Sequence, residues 1–194
     1  MKYLTVGTRE ISYELFSPVM DVCEQIKPIG GLWLTEYNEA HKNYNVWVEY
    51  LINNPQVFFY MSRNYSMWEQ PCSLVTLKDN TNIFYLKNKE DLKYLIVNYP
   101  HNNGNFSYQQ ISNIYDGIFI DMYKLLNQVS NYELCRQLFK FSVNSLILFN
   151  LDCIDYYQPG IVSIEPFNYE CDECEIQNYE INIENVKKKI LRKQ

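Results

Sequence analysis

Apolar and polar residues alternate in short blocks along this chain, and the block lengths predict a mixed succession of strands and helices. Lys2-Tyr3-Leu4-Thr5-Val6 reads as a strand ending at Gly7-Thr8. From Ser12 to Gln25 the apolar residues Leu15, Val19, Val22 and Cys23 recur at helical spacing. Pro28 and Gly30-Gly31 interrupt that pattern, and Leu32-Trp33-Leu34-Thr35 forms a short strand. Tyr44, Trp47, Val48 and Leu51 share one helical face, closed by Asn53-Asn54-Pro55. Val57 to Met61, Ser73 to Leu77 and Ile83 to Leu86 are β-rich runs separated by polar breaks.

A second helix is predicted over Lys89 to Asn98, where Leu92, Leu95 and Ile96 share a face, followed by a polar loop to Ser107. Tyr115-Asp116-Gly117 turns into the buried strand Ile118-Phe119-Ile120. Met122 to Phe139 reads as a long helix or a helical pair, Ser145 to Phe149 as another buried strand, and Ile161 to Ile164 as a further short one. This mixture predicts one α+β domain over residues 1–164. Residues 165–194 differ: Glu165 to Glu184 carries acids without Lys or Arg, and Asn185 to Gln194 carries bases without acids. That polarity suits a solvated tail or a docked terminal helix.

With 194 residues the chain is the size of one ordinary domain, and 47% hydrophobic with 21% charged residues places it among globular proteins. The net charge of −6 argues against a nucleic-acid binder that works through a broad basic face. No apolar run is long enough to span a membrane, and Met1-Lys2-Tyr3-Leu4-Thr5 lacks the apolar core of a signal peptide, so a cytoplasmic location is expected. The 18 Tyr and 10 Phe fit either a recognition surface or simply AT-rich coding, which also accounts for the scarce Gly.

Of the six cysteines, only Cys171 and Cys174 have ligand spacing. With just two histidines, both distant in sequence, and acidic neighbours that raise the thiol pKa, neither a metal nor a redox role is expected. Phosphate loops, dinucleotide turns, zinc-protease motifs and nucleophile elbows are all absent from the sequence. What remains is a pair of carboxylates bracketing a buried strand. Asp116 precedes Gly117 and suits a turn. Asp121 precedes a helix and suits either an N-cap or a ligand-facing acid.

The order Leu4-Thr5-Val6-Gly7-Thr8, Lys27-Pro28-Ile29-Gly30-Gly31-Leu32-Trp33-Leu34-Thr35, Tyr115-Asp116-Gly117-Ile118-Phe119-Ile120-Asp121 and Val143-Asn144-Ser145-Leu146-Ile147-Leu148 resembles that of ADP-ribosyltransferase-like proteins, especially small phage-type members. The resemblance spans residues 2 to 151. It implies a split β-sandwich with flanking helices that holds NAD as substrate.

On that likeness Gly7 and Thr8 would hold the nicotinamide amide, with Arg9 substituting for the basic residue the family places before the glycine, where this chain has Val6. Thr35, with Trp33 and Tyr44, would orient or stack the nicotinamide ribose and ring. Asp121 would steady the oxocarbenium-like transition state, beside Asn144 at a position that is acidic in relatives. Two functions follow from the resemblance: transfer of ADP-ribose from NAD to a macromolecular acceptor, or a non-catalytic phage or mobile-element inhibitor that binds a host protein.

Overall fold

A computed structural model describes residues 1–22, 28–41, 45–54, 69–102, 104–128, 141–164 and 179–190. Their elements are β1 (Lys2–Val6), β2 (Leu32–Glu36), a 3-10 turn (Glu39–His41), α1 (Val46–Asn53), β3 (Glu69–Leu77), β4 (Ile83–Leu86), α2 (Lys89–Asn98), α3 (Tyr108–Ile111), β5 (Gly117–Ile120), α4 (Met122–Gln128), β6 (Ser145–Leu148), β7 (Ile154–Ile164) and β8 (Tyr179–Ile183). The fold is α+β. The expected strand over Val57–Met61, the second half of the helix predicted to Phe139, and the Cys171–Cys174 pair lie outside the described residues.

The chain divides into two compact units, each assembled from separated segments. The first comprises Met1–Ile11, Thr35–Thr76 and Asp155–Lys189; the second comprises Ser12–Leu34 and Leu77–Ile154, with the last residues of the chain. Sequence patterning reports local period and carries no signal for which distant segments share a core.

In the first unit the strands run in the order β2-β1-β3-β7-β8, with Thr35 and Glu36 supplying the β2 part. β1 pairs antiparallel with both neighbours, Leu4 lying opposite Thr35 on one side and Leu74 on the other. Leu4, Cys72 and Val162 pack under Val48 and Leu51 of α1. That helix starts where it does because the Asn45 side chain accepts from the N–H groups of Trp47 and Val48, at 3.1 and 3.3 Å.

Residues 179–183, taken with the tail, form β8: Tyr179, Ile181 and Ile183 alternate with polar residues, and this two-residue period lets one face pack on the α1-covered core. The short strand predicted over Ile161–Ile164 extends back to Ile154, because pairing on both sides of β7 overrides the weak strand tendency of Gln158-Pro159-Gly160.

In the second unit the order is β4-β5-β6-β2, with β4 and β5 parallel and the other pairs antiparallel. The β4-to-β5 crossover carries α2 and α3, as a parallel pair requires. α2 opens with a capping box: Asn88 accepts from Glu90 and Asp91 N–H groups, and the Asp91 carboxylate accepts from Asn88 N–H. Leu92 and Leu95 of this helix reach a core formed with Leu86, Ile118, Ile120 and Leu125.

The helix predicted within 12–25 is absent over its described part. Pro18 disfavours helical geometry at Ser17, and Met20 exchanges main-chain hydrogen bonds with Ile29 at 2.8 and 3.0 Å. Gly30 and Gly31 both have positive φ, +78° and +70°. A Cβ on Gly30 would lie 2.3 Å from the Pro18 carbonyl oxygen, and one on Gly31 would lie 2.7 Å from Ile147 Cγ2. The pair is therefore a packed turn.

Candidate functional site

Strand register brings the two residues singled out for catalysis together in the second unit. Ile120 of β5 lies opposite Ser145 of β6, so Asp121, one residue further on, neighbours Asn144, one residue before. Asp121 is buried, at 7% exposure. Its Oδ1 accepts from Lys124 N at 3.1 Å and from Asn144 Nδ2 at 3.4 Å, and its carbonyl accepts from Leu125 N at 3.0 Å. These are the contacts of a residue capping α4.

Asn144 shares the task, its Oδ1 accepting from Tyr123 N at 3.3 Å. The Lys124 ammonium pairs with Asp121 Oδ2 at 3.1 Å. A carboxylate so placed satisfies a helix N-terminus, while the adjacent ammonium offsets the negative charge that a developing oxocarbenium would need.

Trp33, on the β2 segment of the same unit, is a core anchor. Its ring stacks on Phe141 with centroids 5.7 Å apart, and its indole N–H donates to the Gly30 carbonyl at 3.0 Å. Asp116 is a structural staple: one carboxylate oxygen accepts from Asn82 N and the other from Asn150 Nδ2, both at 2.9 Å.

The other expected site residues belong to the first unit. Gly7 follows β1 with φ +100°, and its N–H donates to the Pro71 carbonyl at 2.7 Å. Thr8 Oγ1 donates to the Glu10 carbonyl at 2.7 Å, and the Thr8 carbonyl accepts from Ser73 Oγ at 3.3 Å. Arg9 pairs with Glu184 through its guanidinium.

Thr35 is buried, its hydroxyl accepting from Asn45 Nδ2 at 3.0 Å. Asn45 in turn donates to the Glu36 carbonyl at 3.0 Å and, through its own N–H, to the Tyr179 hydroxyl at 2.7 Å. Thr35 thus serves a polar network that joins β2, α1 and β8. Tyr44 lies outside the described residues.

Several polar groups escaped the sequence reading. Asp21 accepts from Tyr108 N at 2.8 Å and from the Ser107 hydroxyl at 2.5 Å, holding the start of α3. Gln70 is fully buried, and neither amide atom is hydrogen-bonded among the described residues. A signal for it existed: Gln70 falls in phase with Cys72 and Leu74 on β3, a polar residue in an apolar period. Tyr108 is buried, its hydroxyl has no hydrogen-bond partner among the described residues, and burial pushes its pKa up. Cys72 and Cys153 are buried free thiols, each pushed up to about 12 by burial. Among the described residues no group of three or more His, Cys, Asp or Glu could hold a metal ion, and no helix is long and apolar enough to cross a membrane.

Comparison of the chain with protein-family models, with curated proteins and with solved structures finds no match.

Proposed function

We propose that this protein acts by binding a macromolecular partner, as an inhibitor of a host protein would, rather than by turning over NAD on the ADP-ribosyltransferase-like split sandwich that its sequence resembles. One observation carries the reading: Asp121, the acid the chemistry depends on, spends its carboxylate on Lys124 N–H, the Lys124 ammonium and Asn144. Three of the other expected NAD contacts are also held by neighbours. Arg9 is paired with Glu184, Thr35 is buried in the Asn45 network, and the Trp33 face is covered by Phe141.

The transferase reading keeps one specific support, the register that sets Asp121 beside Asn144 at the end of two buried strands. Thermal unfolding with millimolar NAD against AMP, alongside an assay for released nicotinamide, separates the two. Binding at 100 times the dissociation constant adds about 2.7 kcal/mol, a shift of several degrees for a chain this size. The binding reading expects no NAD-specific shift, no nicotinamide, and the same co-purifying partner for wild type and Asp121→Asn. An NAD-specific shift with nicotinamide release that Asp121→Asn abolishes overturns it.

A further inference from the structure

We propose that β4 is a self-association edge, pairing antiparallel with β4 of a second copy of this chain about a two-fold axis at Phe84. The inference is independent of the proposed function and rests on the second unit alone. β4 ends the strand order β4-β5-β6-β2. The carbonyls of Asn82 and Leu86 accept from Asp116 N and Asp121 N, at 2.8 and 3.0 Å, on the β5 side. Main-chain groups alternate along a strand, so those of Ile83 and Tyr85 face away from β5. They find no hydrogen-bond partner among the described residues. The next outward N–H, that of Lys87, is already held by the Asp91 carboxylate at 2.9 Å. The open window is therefore Ile83 and Tyr85.

Proteins usually blunt such an edge with a proline, a bulge or an inward charge, and Ile83-Phe84-Tyr85-Leu86 has no charge and no proline. Its surroundings are apolar and exposed. Tyr85 is 40% exposed; Tyr94, stacked on Phe84 at 5.9 Å, is 44% exposed; and Ile114, whose carbonyl accepts from Asn82 Nδ2, is 55% exposed.

Two features select a second copy as the occupant. First, the window is self-complementary. Centred on Phe84, Ile83 of one copy meets Tyr85 of the other, both with outward N–H and C=O groups, giving two reciprocal pairs of main-chain hydrogen bonds. An exposed tyrosine then lies across from a β-branched residue, a favourable cross-strand pair. Second, an acid and a base stand symmetrically about its centre, Asp79 and Lys89 each five residues from Phe84. Asp79 precedes the strand and Lys89 follows it, neither in an ion pair among the described residues, and Lys87 lies over the Tyr85 ring at 4.4 Å. Antiparallel pairing lays the start of each strand against the end of the other, bringing Asp79 toward Lys87 and Lys89 of the second copy.

The test is sedimentation equilibrium of the full chain at low ionic strength over a wide concentration range. A concentration-dependent dimer is expected. Tyr85→Pro removes an outward N–H while sparing the β5 ladder, and should leave a monomer. Lys89→Glu should weaken the dimer about tenfold, and Asp79→Lys/Lys89→Glu should restore it. If Tyr85→Pro fails to fold by circular dichroism, the charge variants decide alone, since Glu suits the first turn of α2.

A monomer at every concentration overturns the proposal. So does a dimer indifferent to these changes, or a Lys89→Glu loss that the double swap does not restore. A monomer whose Tyr85→Pro variant loses capture of a different protein assigns the edge to a foreign strand, and equally overturns self-pairing.

Discussion

Replacing Asp121 tests whether its carboxylate is structural. Asp121→Ala removes the acceptor for Lys124 N and leaves that donor beside a residue only 7% exposed. Loss of an N-cap costs about 1 kcal/mol and up to about 2 when the freed donor stays dry. For a chain of 194 residues that corresponds to roughly 2–6 °C in Tm. Asp121→Asn keeps an acceptor of the same reach, and Asn caps as well as Asp.

What Asn loses is the ion pair with Lys124, whose side chain is 60% exposed; after solvent screening such a pair is worth at most about 0.5 kcal/mol. The expected order of stability is therefore wild type slightly above Asp121→Asn, with Asp121→Ala clearly below. Urea unfolding followed by circular dichroism and tryptophan emission reads this directly. Asn144→Ala, which frees Tyr123 N, should couple to Asp121→Ala in a double-mutant cycle, because both side chains serve the same helix end. If Asn costs as much as Ala, the charge matters and the cap does not. If either substitution raises stability, the carboxylate is held at a cost for function, and the structural reading fails.

Two other outcomes are expected. Gly31→Ala should destabilise well beyond the roughly 1–2 kcal/mol of a left-handed alanine, because its Cβ would also meet Ile147 Cγ2 at 2.7 Å. Gly104→Ala, at φ +80° with open space around it, should cost the backbone term alone, and equal losses in thermal unfolding would contradict the packed-turn account. The Cys72 and Cys153 thiols, with pKa values near 12 folded against about 8.5 in an unfolded chain, should resist a thiol reagent at pH 8 until the protein unfolds. Because the native state keeps protons that the unfolded chain releases, their contribution to stability is whole below about pH 8.5 and is lost as pH rises toward 12. A Cys72→Ala/Cys153→Ala variant with an unchanged alkaline slope would refute that link.

Local chemistry made much of the fold readable. The short apolar runs at β1, β5 and β6, buried along most or all of their length, and the helical spacing at α1 and α2, with recognisable ends at Asn45 and Asn88, announce themselves. The cap at Asp121 was one of two readings the sequence permitted, and the register of Ile120 against Ser145 is what set Asn144 beside it.

Other features could not be read locally. The apolar spacing of residues 12–22 imitates a helix, yet only one turn forms, closed by Leu15 and Phe16 N–H groups on the Ser12 carbonyl, before Pro18 and the main-chain pairing of Met20 with Ile29 take the chain out of helical geometry. The charged stretch after residue 165 conceals a strand, since charge composition averages over the five residues whose alternation matters.

By itself, then, the sequence determined the α+β character, the helix ends and the glycine turn, all set by interactions within a few residues. Only the tertiary structure decided the division into two interleaved units, the placement of β8, and the commitment of Asp121, Thr35 and Arg9 to neighbours at Asn144, Asn45 and Glu184. Those outcomes depend on which distant segments share a core and in what register, a choice made by packing across many residues rather than by the local preferences of any one of them.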